Sequence, residues 1–220
     1  MAARSFQLSA TPVAILAHLV FIAVTTLVLV WLLHFREGFA FSSNVKNKIF
    51  NLHPLFMIIG FILIGGEAIM AYKTVPAKRR SQKIVHLLLH LIALVSGVLG
   101  IVIIFKFHRE SDIPHMFTLH SWLGMITICS YGLLWLLAFF AYFFPGAEFS
   151  TRAALLPWHR LIGMVIFLLA ICTAETGLVQ QFINLGLFRS QEALIVNFTG
   201  LLLFLFGVSV SLAVILPRSY

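Results

Sequence analysis

Four histidines recur at matching places in four consecutive apolar stretches: His53, His86, His120 and His159. An imidazole inside a membrane span is costly unless something satisfies it, so each is a candidate for a chemical role. Two imidazoles facing each other across a helical bundle are what axial ligation of a heme iron requires. Each histidine is expected in the first turn of its span. Neighbouring spans run in opposite directions, so the second and fourth start at one membrane face and the third and fifth at the other. His53 is then expected to meet His120 near one face, and His86 to meet His159 near the other. With both axial positions filled, iron keeps no open position for oxygen, and the chemistry implied is electron transfer through two b hemes. His90 follows His86 by one turn on the same face and is either a hydrogen-bonding neighbour of the heme or an alternative ligand. His18 and His34 belong to the first span, where no partner is expected at matching depth.

The elements that must position these groups follow from composition. The chain has 220 residues, is 61% hydrophobic and only 10% charged, and has a mean hydropathy of +1.04. A soluble domain of this size would not carry such a surface. Apolar runs of spanning length lie at about 12–34, 53–72, 84–105, 119–143, 158–180 and 195–216. The fold expected is all-α: one domain over residues 1–220, a polytopic bundle of six transmembrane helices whose central four hold two hemes. The first run is already of spanning length, which argues against a cleaved secretory signal. Pro54 and Pro157 suit first helical turns, Ser81 suits an N-cap for the third span, and Pro145-Gly146 breaks the chain after the fourth. Gly124 and Gly163 follow His120 and His159 by one turn, and Gly60, Gly65, Gly66, Gly97 and Gly100 line spans two and three. Close helix packing explains them, and room for a porphyrin is the functional alternative. Cys129 and Cys172 supply no disulfide framework and are expected as free buried thiols. Glu67 and Glu175 are the acids placed well inside spans, for pairing within the bundle or for handling protons.

The net charge of +8 could suggest nucleic acid, but in a membrane protein such charge reports orientation. The connection from Lys73 to Lys83 carries Lys73, Lys78, Arg79, Arg80 and Lys83 with no acid, which marks it as cytosolic. Six spans then place both termini in the cytosol. With Arg4, Arg152, Arg160 and Arg218, nine cations fall on that side, against Arg36, Lys46, Lys48, Lys106, Arg109 and Arg189 opposite. Lys73, Arg79, Lys83 and Arg152 would surround the approach to the His86/His159 heme and suit a small anionic reductant or anionic lipid. Lys106, His108, Arg109 and His115 gather before His120 and could receive an oxidised anion or a metal ion. A di-iron oxygenase would need its histidines on one face. A respiratory diheme subunit would stack its ligands on two helices. A heme-free, histidine-lined metal or proton transporter and a quinol-linked diheme cytochrome remain as alternatives, the latter using Phe105, Tyr131 and Trp135.

At these residues the sequence resembles the cytochrome b561 family of ascorbate-dependent transmembrane electron carriers. The resemblance runs from Asn51-Leu52-His53-Pro54-Leu55-Phe56-Met57 through His86-Leu87-Leu88-Leu89-His90 and Thr118-Leu119-His120-Ser121-Trp122-Leu123-Gly124 to Pro157-Trp158-His159-Arg160. It implies His53/His120 and His86/His159 as axial pairs, in agreement with the topology. It further implies that cytosolic ascorbate donates electrons to monodehydroascorbate or a ferric chelate on the other side. Lys83, Arg79 and Arg152 look like the ascorbate site, with Lys73 beside them; His108, with Lys106, looks like the acceptor side. Lys83 and His108 are expected to act directly. His90, His115, Met116, Phe117, Thr118 and Tyr142 are assigned to the heme environment. Segment Ile69 to Ala77 looks more like the plant members, often vacuolar, and the family's members are commonly homodimers.

Overall fold

The computed structural model describes residues 9–217, so Arg4 and Arg218 lie outside the described residues. Six helices are long and apolar enough to cross a membrane: α1 Ala10–Phe35, α2 Lys46–Thr74, α3 Arg79–Glu110, α4 Leu119–Tyr142, α5 Phe149–Asn184 and α6 Gln191–Ile215. No strand occurs among the described residues.

The helices outrun their apolar cores. With 32 residues, α3 is about 48 Å long at 1.5 Å per residue, well beyond a hydrocarbon layer of about 30 Å. Arg, Lys and Gln are strong helix formers, and water at the membrane edge satisfies the unpaired N–H groups of a first turn. Consequently α3 starts at Arg79 behind Lys78, not behind Ser81, and Pro157 lies inside α5. Pro54 likewise falls inside the α2 run. Of the four histidines, only His120 sits in a first turn; the other three match it by depth in the bundle, not by distance from a helix start. Proline lacks an N–H and removes one backbone bond. In α2 the residues directly after Pro54, Leu55–Leu63, wind as π-helix. Thr118 Oγ1 accepts from Ser121 N at 3.2 Å and caps α4. As expected, the chain breaks after Tyr142, where Gly146 takes a φ of +82°.

Four helices close a ring, with α2 on α3, α3 on α4, α4 on α5 and α5 back on α2. Helices α1 and α6 pack on each other and cover α2, and α6 also covers α5. The diagonal partners, α2 with α4 and α3 with α5, hardly touch through their backbones. The tightest core lies on the α1/α2/α6 side, where Trp31, Leu32, Leu63, Met70, Leu203 and Phe206 are buried. Glycines let α2 approach its neighbours: a Cβ at Gly60 would stand 2.5 Å from Ser96 Cβ, and one at Gly66 2.5 Å from Phe206. Glu192 of α6 accepts from Trp31 Nε1 at 2.8 Å and pairs with Arg36, tying both outer helices together at one end.

Two further expectations change. His18 does have a partner at its depth, because its Nδ1 lies 2.8 Å from Glu67 Oε1 across the α1/α2 contact. The cysteines are free, as expected, but exposed, since their positions face out of the bundle. A thiol is apolar enough to face hydrocarbon. Glu175 Oε1 is buried without a partner among the described residues.

Candidate functional site

The central ring brings the four histidines together in two pairs. His53 of α2 and His120 of α4 stand with ring centroids 6.1 Å apart and planes at 90°. His86 of α3 and His159 of α5 stand 6.2 Å apart at 70°. Each pair crosses one diagonal of the ring, and the two lie toward opposite ends of the bundle.

Backbone carbonyls anchor three of the rings. His53 Nδ1 donates to Gly100 O at 3.0 Å, His86 Nδ1 to Ala68 O at 2.8 Å, and His120 Nδ1 to Thr173 O at 2.9 Å. A carbonyl can only accept, so Nδ1 carries the hydrogen and Nε2 keeps its lone pair. His159 Nδ1 is buried with no partner among the described residues.

A cavity of about 620 Å³ opens at the end of the bundle that carries Lys83. His86, His90 and His159 line its floor, and Lys73, Arg79 and Lys83 line it nearer the mouth. The Arg79 guanidinium stacks over the Tyr72 ring at 5.1 Å, and that ring lies 5.2 Å from His86. Lys73 Nζ donates to Leu216 O at 2.6 Å, so part of its role is to cap α6. Arg152 is not among the lining residues; the Tyr142 hydroxyl, which is beside the cavity, donates to its backbone carbonyl at 3.4 Å. Arg160 lines the cavity. Tyr142 lies 5.4 Å from His159, ring to ring.

At the opposite end, His108 and His115 stack with centroids 5.5 Å apart and planes within 17°. Phe105 also stacks on His115 at 4.8 Å, and Phe117 lies 6.4 Å from His108. Lys106 Nζ is held by Phe41 O at 2.6 Å and lies 3.8 Å from Glu110. Met116 adopts a φ of +56°, turning the chain between the His115 platform and the α4 cap at Thr118.

Residues 52–185, which contain all four paired histidines, match the family model described as eukaryotic cytochrome b561. The chain belongs to the cytochrome b561 family. It is similar to a probable ascorbate-specific transmembrane electron transporter 1 of Oryza sativa subsp. japonica, with 49% identity over 94% of this chain and 91% of that protein. It is 41% identical to a transmembrane ascorbate ferrireductase 1 of Arabidopsis thaliana, over 94% and 88% of the two chains. It is 38% identical to a human transmembrane ascorbate-dependent reductase, over 92% and 83%.

Membership of the cytochrome b561 family implies heme b. The residues present fit that group. Imidazole nitrogen binds a first-row metal at about 2 Å, so two rings facing one iron stand with centroids about 6 Å apart. Both pairs have that spacing, and donation of Nδ1 to a carbonyl is the usual support of a metal-bound histidine. Beside the first pair, Gly177 leaves room for the His120 ring, because a Cβ there would stand 2.7 Å from Cε1. Three residues of the b561 ring escaped the sequence reading in these roles: Tyr72, Arg160 and Gly177. Arg160 follows His159 directly, which is a usable signal; Gly177 gives none before α4 and α5 are packed.

Proposed function

We propose that this b561 chain carries single electrons across a membrane from ascorbate, through two b hemes ligated by His53/His120 and His86/His159. The observation that supports this reading best is the pair of diagonals, two facing imidazole couples at 6.1 and 6.2 Å. Held by these histidines, heme b would supply one-electron redox chemistry.

The chain's own groups do the rest. Ala68, Gly100 and Thr173 carbonyls hold three imidazoles in the tautomer that offers Nε2. Arg79 and Lys83, with Lys73 and Arg160, give the cavity a positive field that draws and orients an ascorbate anion over His86 and His159. Lys83 contacts the donor directly; Arg152 contributes from the cavity's margin. At the far end, His108 and His115 present a flat, stacked surface to monodehydroascorbate or a ferric chelate, with Lys106 beside it. The Lys83 end faces the cytosol, with both termini, because five cations cluster between Lys73 and Lys83. The protein works as a homodimer in a vacuolar or other endomembrane.

Sealed vesicles test the reading. With the Lys83 end outward, ascorbate outside and ferricyanide inside, ferricyanide is reduced while the lumen stays closed to ascorbate. A preparation with no reduced b-type band, or one whose ferricyanide is reduced only after permeabilisation, overturns it.

A further inference from the structure

His90 lies between the two diagonals and belongs to neither. Its Nδ1 is 2.5 Å from the hydroxyl of Tyr131 on α4, and its ring stands 4.4 Å from His86 with planes at 80°. Tyr131 in turn meets Phe61 of α2 edge to face at 4.8 Å. These contacts join α2, α3 and α4 at one level of the ring, where Phe61, His90 and Tyr131 all line the cavity.

We infer that His90, held by Tyr131, is a positioning residue that fixes the ring plane of His86 and does not itself bind iron. A single hydrogen bond to a carbonyl tolerates a broad range of angles, so the bond from His86 Nδ1 to Ala68 O by itself leaves the ring room to tilt. The edge-on imidazole of His90 closes that freedom on one side, with Tyr72 at 5.2 Å on another. His90 can do this only if its own ring is pinned, and the Tyr131 hydroxyl is the group that pins it. The ring that faces His159 across the diagonal is that of His86. The rotation of an axial imidazole and its hydrogen bonding tune the potential and electronic structure of the iron it holds.

The inference rests on the reading of His86 and His159 as heme ligands, and the test separates the two. In a ferric heme with two imidazole ligands, the highest g value in electron paramagnetic resonance follows the angle between the two ring planes. Wild type, Tyr131→Phe, His90→Leu and the double variant are purified with their hemes and compared. His120→Ala and His159→Ala assign each signal to its end of the bundle. Tyr131→Phe keeps every ring and removes one hydroxyl. It is expected to retain full heme content, shift the g value and midpoint potential of the Lys83-end heme, and leave the other heme unmoved. His90→Leu is expected to shift the same signal, and the double variant to shift it no further, because the two residues act as one unit. Unchanged g values in Tyr131→Phe overturn the inference, as does loss of the Lys83-end heme in His90→Leu, which would make His90 a ligand. A wild-type protein without a b-type spectrum overturns the ligand reading first, before any variant is compared.

Discussion

Gly177 of α5 lies so close to His120 of α4 that a Cβ at residue 177 would stand 2.7 Å from His120 Cε1 and 2.9 Å from Nδ1. The ring cannot retreat without giving up its 2.9 Å bond to Thr173 O, four residues earlier on the same helix. One helix therefore both supports and confines the imidazole. Gly177→Ala is expected to displace His120 and lower the heme-to-protein ratio by up to one of two hemes. A ratio and spectrum equal to wild type would show that α4 and α5 can part freely.

The diagonals predict independent losses. His120→Ala should remove or perturb the heme at the His108 end alone, and His159→Ala the one at the Lys83 end alone. Potentiometric titration of each variant reads this as the disappearance of one of two components. Disappearance of the same component in both would break the pairing.

The basic residues at the cavity divide by what they touch. Lys83 lines the cavity, while Lys73 also donates to the Leu216 carbonyl at 2.6 Å. Lys83→Ala is expected to raise the KM for ascorbate about tenfold, equivalent to about 1.4 kcal/mol, with heme content intact. The wild-type rate should also fall as salt rises, since the attraction is screened. Lys73→Ala should in addition lower stability by about 1.5 kcal/mol, through the lost charged hydrogen bond to α6. Stopped-flow reduction and thermal unfolding together check the division, which fails if the two variants behave alike.

The outer pair of helices is tied at one end by Glu192, which accepts from Trp31 and Arg36. Both charged side chains are mostly buried, at 20% and 14% exposure. Glu192→Ala leaves Arg36 and the Trp31 N–H without their acceptor, and about 3 kcal/mol of stability should go with it. The midpoint potentials should not move, since neither histidine diagonal contacts this end of α6. A variant with wild-type melting behaviour would show that water replaces the carboxylate.

How much of this was legible in the sequence depends on the range of each interaction. The pairing of His53 with His120 and of His86 with His159 could be read because antiparallel spans convert sequence order into depth. The helix starts could not, because Arg79–Lys83 is as good a helix in water as the apolar run is in lipid, so the composition change at Ile84 marks a membrane edge and not an N-terminus. The His18–Glu67 contact was invisible for another reason: it needs the rotation of α1 against α2, which an almost uniformly apolar helix does not record. Arg152 and Arg160 are indistinguishable as charges, and only the cavity separates the one that lines it from the one at its margin. Tyr72 shows the same limit, since its place between Arg79 and His86 depends on the angle at which α2 meets α3.

The diagonal arrangement also bears on how the molecule is made. His53 and His120 are both present once four helices have entered the membrane, yet His120 leans on Thr173 and Gly177 of α5. His159 is itself carried by α5. His120 gains its carbonyl support, and His86 its facing imidazole, only once that helix is in place, so a single element completes both couples.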